Sequence, residues 1–107
     1  MDTYGKLHRN GIAIDAKDIE TLCRRYQIKE FAFFGSSLRQ DYSEASDIDV
    51  LVSFGENSDI SLFDIIEIGL SLESMLKRRV DIVEKESLKN PIRRKSILES
   101  REIVYAA

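Results

Sequence analysis

The sequence predicts an α/β (α+β) fold, a small mixed sheet flanked by helices, and three observations carry that expectation. Apolar residues recur at three- and four-residue spacing from Asp15 to Tyr26 and from Ser61 to Arg78, as amphipathic helices require. The run Phe31-Ala32-Phe33-Phe34 is continuously apolar, the pattern of a strand buried on both faces. From Asp47 to Phe54 the pattern alternates instead, with Ile48, Val50, Val52 and Phe54 on one face and Asp47, Asp49 and Leu51 on the other.

Taken in order, residues 1–11 are polar, contain Gly5 and Gly11, and read as a loose lead-in. Asp15 can cap a first helix whose stripe is Ile19, Leu22, Cys23 and Tyr26, with Asp18 in its first turn. Cys23 lies inside that stripe with no base or metal ligand spaced near it, which favours a small buried hydrophobe over a reactive thiol. A strand over Ile28–Phe34 follows. Gly35 turns the chain, Ser36 is placed to cap a short helix over Ser37–Asp41, and Tyr42–Ser46 is a polar loop into the Asp47–Phe54 strand.

After a Gly55–Asp59 turn, Ser61 caps a long helix reaching to about Arg78, with Asp64 at the capping-box position. Leu62, Ile65, Ile66, Gly69, Leu72 and Leu76 form its stripe, and Phe63 and Leu70 fall to one side. That width fits a broad core stripe, with a partner-facing edge as the alternative. Lys77, Arg78 and Arg79 suit the negative end of the helix dipole, which favours a solvated helix end over a nucleic-acid patch. Val80–Val83 is a third short strand, in which Asp81 points opposite to Val80 and Ile82 and, as a charge in a buried strand, needs a reason. Asn90-Pro91 starts a helix over Ile92–Ser100, with Arg93, Arg94 and Lys95 read as its solvated face, and Glu102–Tyr105 can add an edge strand.

The chain of 107 residues is read as a single domain, 1–107, with 43% apolar and 33% charged residues, which is ordinary for a folded protein. A net charge of -3 and a pI near 5.2 argue against stable, salt-driven nucleic-acid binding. The lone cysteine, the absence of a signal-peptide pattern and the lack of a long apolar run lead to a cytoplasmic expectation with no membrane partner.

The chemistry is concentrated between Phe31 and Phe54. Carboxylates at i and i+2 of a strand emerge on one face, close enough to share a divalent cation, and a hard cation such as Mg²⁺ relieves their repulsion. Asp81 from a neighbouring strand would complete a set suited to two-metal phosphoryl or nucleotidyl transfer. Taken alone, the Asp47-Ile48-Asp49 pattern leaves open a plainer reading, in which Asp47 ends the loop and Asp49 pairs with Arg39. The Gly35-Ser36 turn shifts the balance, because backbone N–H groups at a helix start favour phosphate oxygens.

Gly35-Ser36, ten intervening residues and Asp47-Ile48-Asp49 resemble the GSx10DxD signature of the polymerase-beta-type nucleotidyltransferase superfamily. Phe33-Phe34-Gly35-Ser36 with Ser46-Asp47-Ile48-Asp49-Val50-Leu51-Val52 resembles in particular its minimal nucleotidyltransferases, small proteins encoded beside HEPN-domain ribonucleases. The resemblance implies that Gly35 and Ser36 hold the phosphates of ATP and that Asp47 and Asp49 ligate Mg²⁺, two ions in all. It further implies that Asp81 is the third carboxylate and helps activate the attacking hydroxyl, and that Arg39 contacts phosphate. Ser37 and Gln40 stand where many relatives carry Arg and Gly, a departure that bears on triphosphate affinity.

By the same resemblance, the expected activity is transfer of AMP from ATP to a tyrosine of a partner HEPN ribonuclease toxin, the chain acting as its antitoxin in a hetero-oligomer. The alternative is a non-catalytic antitoxin that neutralises the toxin by docking, with the side face of the long helix in the interface. A chain this short has little room for an acceptor site of its own, which points to a partner as the substrate.

Overall fold

The computed structural model describes residues 1–107, and its first element overturns the loose lead-in. Asp2 accepts the Gly5 N–H at 2.7 Å and starts a helix, α1 (Thr3–Arg9). Leu7 is 0% exposed and Ile12 is buried beside it in the main core. A two-turn helix carries too few apolar residues to show a period, so its docking, rather than its pattern, makes it helical.

Asp15 accepts from Lys17 N–H at 2.9 Å and opens α2 (Ala16–Tyr26), whose buried residues are Ile19, Leu22 and Cys23, as expected. Strand β1 (Glu30–Phe34) leads into a 3₁₀ turn, Gly35–Leu38, followed by β2 (Ile48–Ser53). The expected helix over Ser37–Asp41, capped by Ser36, is therefore replaced by a shorter and tighter turn with no side-chain cap. The carbonyls of Ser37, Leu38 and Arg39 accept from Arg9 and Asn10 side chains instead of continuing a helical ladder.

In α3 (Leu62–Leu76) the capping box forms as the sequence implies. Ser61 Oγ accepts from Asp64 N–H at 3.2 Å, and the Asp64 carboxylate accepts from Ser61 N–H at 3.0 Å. The helix stops before Arg78, at Lys77, which takes a left-handed conformation with φ 58°. Next come β3 (Val80–Glu84), a short 3₁₀ turn, α4 (Pro91–Ser100) capped by Asn90, and the edge strand β4 (Glu102–Ala106).

The sheet order is β3-β2-β1-β4, with β2 and β3 parallel and the other pairs antiparallel, so the sheet is mixed. Period two then divides the core. Phe31, Phe33, Ile48, Val50 and Val52 face α1, α2 and α3, whereas Ala32, Phe34 and Leu51 face Leu88 and Ile97 on the α4 side. No helix is long and apolar enough to cross a membrane.

The α3 stripe holds at Ile65, Leu72 and Leu76, but Ile68 replaces Leu62 and Ile66 in it. Ile68, Leu72 and Leu76 are buried, while Leu62 is 72%, Phe63 79%, Ile66 50% and Leu70 62% exposed. A helix apolar on most sides has no unique phase in sequence, and packing on the sheet selects one.

Replacing Leu7 by Ala should cost about 2–5 kcal/mol of unfolding free energy, the range for emptying a fully buried leucine site. Urea denaturation measures it, and a change within about 0.5 kcal/mol is the outcome for a residue in a loose segment.

Candidate active site

Strand pairing builds the site from the backbone. Antiparallel register sets Phe34, the last residue of β1, opposite Asp49, and parallel register sets Asp81 beside Asp49. Adjacent strands lie about 4.8 Å apart, so the Gly35 turn and the two carboxylates meet at one end of the sheet. Asp49 shares its face with Leu51, the face that α4 covers. Asp81 is exposed because β3 is an edge strand, which corrects the expectation of an aspartate in a buried strand.

Gly35 is required twice over. Its φ is +78°, a region that side chains disfavour, and a Cβ would sit 2.4 Å from Asp49 Oδ2. The glycine thus lets a carboxylate press against the turn. Ser36 is half-buried in that turn, and its carbonyl accepts from Arg39 N–H at 3.0 Å.

Burial pushes the Asp49 carboxyl above its ordinary range, and the neighbouring Asp81 and Asp47 carboxylates push the same way, against Arg93 and Arg39. Hard oxygen donors that repel one another are the donor set that suits a divalent cation such as Mg²⁺. As they stand, no three acidic, His or Cys side chains form a closed metal-holding group, and Asp47 is turned onto Arg79, its Oδ1 3.1 Å from Arg79 Nε. The residues fit the ion in charge and chemistry, and Asp47 would exchange Arg79 for it.

Arg39 pairs with Asp41 at 3.0 Å rather than with Asp49, so the plainer pairing read from sequence does not form. Sequence reasoning missed two groups at this end. Arg79, read as a solvated helix end, holds Asp47. Arg9 and Asn10, read as lead-in, bind the turn, and the Asp2 cap was the sole local sign of a helix there. Arg78 is also less solvated than expected, with its Nε buried and unpartnered.

A cavity of about 430 Å³ opens beside the turn between Gly35, Leu38 and Arg39 on one side and Ser96 and Ser100 of α4 on the other. A second, of about 460 Å³, lies at the other end of the sheet among Arg25, Lys29 and Asn57, away from the carboxylates and so from this chemistry. Cys23 plays no part: desolvation pushes its thiol up to about 12 and leaves it inert.

Residues 17–104 match the Nucleotidyltransferase domain family. The chain belongs to that family. MntA, a protein adenylyltransferase of Thermococcus cleftensis, is 44% identical to this nucleotidyltransferase over 84 residues, 78% of this chain and 80% of the relative. Two solved structures share the polymerase-beta-type fold. One is a toxin–antitoxin complex with AMP-PNP, at TM-score 0.69 and 20% identity over 88% of this chain and 75% of that one. The other holds a tri-AMPylated HEPN toxin of Shewanella oneidensis with its MNT antitoxin, at TM-score 0.62 and 20% identity over 86% and 70%.

Gly35→Ala should destabilise the nucleotidyltransferase by more than about 1 kcal/mol, from positive φ and the clash with Asp49 together, and urea denaturation measures it. Asp49→Asn should raise the thermal midpoint at neutral pH. Because the carboxyl is shifted up, folding favours its protonated form, so the stability gain should shrink as pH falls through the raised pKa. Thermal melts of both proteins across pH 4–8 measure this; a gain that grows in acid contradicts it.

Proposed function

We propose that this nucleotidyltransferase is a protein adenylyltransferase that moves AMP from ATP to a tyrosine hydroxyl of a partner HEPN ribonuclease toxin, silencing it as its antitoxin in the cytoplasm. The observation that carries the reading is the meeting of Asp49 and Asp81 with the Gly35 turn at one sheet end. The protein adenylyltransferase relative and the fold neighbour that holds an AMPylated HEPN toxin support it.

Asp47, Asp49 and Asp81 would hold Mg²⁺, two ions in this reading, and when bound such ions draw negative charge off the phosphate oxygens at the reacting centre. Backbone N–H groups of the Gly35-Ser36 turn and the Ser36 hydroxyl donate to the triphosphate, with exposed Arg39 free to leave Asp41 for a phosphate. Asp81, exposed at the sheet edge, accepts the tyrosine proton. The tyrosine oxygen bonds to the α-phosphorus, the bond from that phosphorus to the bridging oxygen breaks, and pyrophosphate leaves with the electron pair. Binding the phosphates and the acceptor in line is the protein's main contribution, since phosphoryl groups need positioning and charge stabilisation above all.

The exposed α3 face favours a second role beside the first. Leu62, Phe63, Ile66 and Leu70 lie on one side of α3, and apolar groups concentrated on a surface mark contact with another protein. The toxin is the occupant in this reading, so docking can contribute to silencing.

Incubation with labelled ATP, Mg²⁺ and the product of the neighbouring reading frame should label that partner and silence it. Chelation should stop labelling and added Mg²⁺ restore it. Asp47→Ala with Asp49→Ala should reduce label to background; if this variant silences the partner as fully as the wild type and neither transfers label, docking alone is the function. Phe63→Glu with Leu70→Glu should then abolish silencing without lowering the thermal midpoint.

A further inference from the structure

Three carbonyls of the Gly35–Leu38 turn and its exit are held by Arg9, the last residue of α1, and by Asn10, which caps it. Asn10 Nδ2 donates to Ser37 O at 2.7 Å and to Arg39 O at 2.9 Å, and an Arg9 guanidinium N–H donates to Leu38 O at 2.9 Å. An amide nitrogen has two hydrogens, and Asn10 commits both to this one turn. A short 3₁₀ turn has poor internal hydrogen-bond geometry, and this one lacks a side-chain cap, so its shape is imposed from outside. The helix that imposes it is itself anchored. Leu7 is in the core, and Thr3 and Lys6 both bind the Glu102 carboxylate at the start of β4.

We propose that Asn10 is a positioning residue for the nucleotide. By taking up the carbonyls on the outer side of the turn, it holds the N–H groups of Gly35, Ser36 and Ser37 in the concave arrangement that receives the triphosphate. The route runs from β4 through α1 to the turn, and α1 precedes residues 17–104, so the clamp belongs to this chain outside the span matched by its family. The inference rests on the reading that the turn holds the phosphates of ATP.

The test compares wild type, Asn10→Leu, Asn10→Gln and Arg9→Met. Titration calorimetry with ATP in Mg²⁺ buffer, thermal melts and rates of label transfer are measured on each. Asn10→Leu removes both donors without adding charge, and should weaken ATP binding about tenfold, the worth of one to two hydrogen bonds. Its kcat at saturating ATP should stay within about twofold, as expected when binding rather than chemistry is lost. Asn10→Gln keeps both donors and should recover much of the affinity, and Arg9→Met should lose less than Asn10→Leu. ATP binding unchanged in Asn10→Leu and Arg9→Met overturns the inference alone. Loss of kcat and thermal midpoint in step with affinity, unrescued by Asn10→Gln, also overturns it, since a merely structural role predicts that. A wild type that binds no ATP overturns the nucleotide reading as well.

Discussion

Contact between the Asp49 carboxylate and the Gly35 backbone is the constraint on which the rest of this nucleotidyltransferase depends. It exists because β1 and β2 pair with Phe34 opposite Asp49, and because residue 35 has no Cβ to occupy the space that Oδ2 fills. Shifting the register by one residue would turn Asp49 into the core against α2 and α3 and move Ile48 and Val50 to the α4 face. The apolar alternation of β2 therefore serves the candidate site as well as the core: with Ile48, Val50 and Val52 buried against the helices, Asp49 faces Gly35.

The site is held together against its own electrostatics. Asp47, Asp49 and Asp81 repel, and burial adds to the cost at Asp49. Three devices limit it. β3 lies at the sheet edge, so Asp81 stays in water; Arg79 neutralises Asp47; and Arg93 of α4 and Arg39 lower the cost at Asp49 from a distance. Stability is yielded here so that the carboxylates remain close, a compromise common to functional sites. Elsewhere the fold recovers it through two apolar layers and through Glu30, which joins Lys85 at 3.1 Å and Arg101 at 2.8 Å beneath the sheet.

Much of this was legible from residue order. The caps at Asp15, Ser61 and Asn90 formed as read, because capping is a contact within three residues and needs no tertiary partner. The α3 stripe was right at Ile65, Leu72 and Leu76 but wrong at Leu62 and Ile66, and it omitted Ile68, because a helix with apolar residues on most sides carries little phase information and the sheet surface selects the buried side. The lead-in was misread because Leu7 and Ile12 are too few to show periodicity. Arg79 looked like a helix-end charge until β3 set it beside Asp47.

By itself the sequence determined the strand–glycine–strand order, the two faces of β2 and the carboxylate types, because these follow from side-chain period two and from the chemistry of single residues. The family resemblance already pointed to Asp81 as the third carboxylate, and parallel pairing across a helical crossover, a long-range choice, sets it directly beside Asp49, more than thirty residues away. Tertiary structure alone decided that the polar residues before Ile12 clamp the Gly35 turn and that Leu62 and Ile66 join Phe63 and Leu70 on the outward side of α3. What began as a pattern of acids and a glycine became a site only when the sheet register brought Asp49 against Gly35.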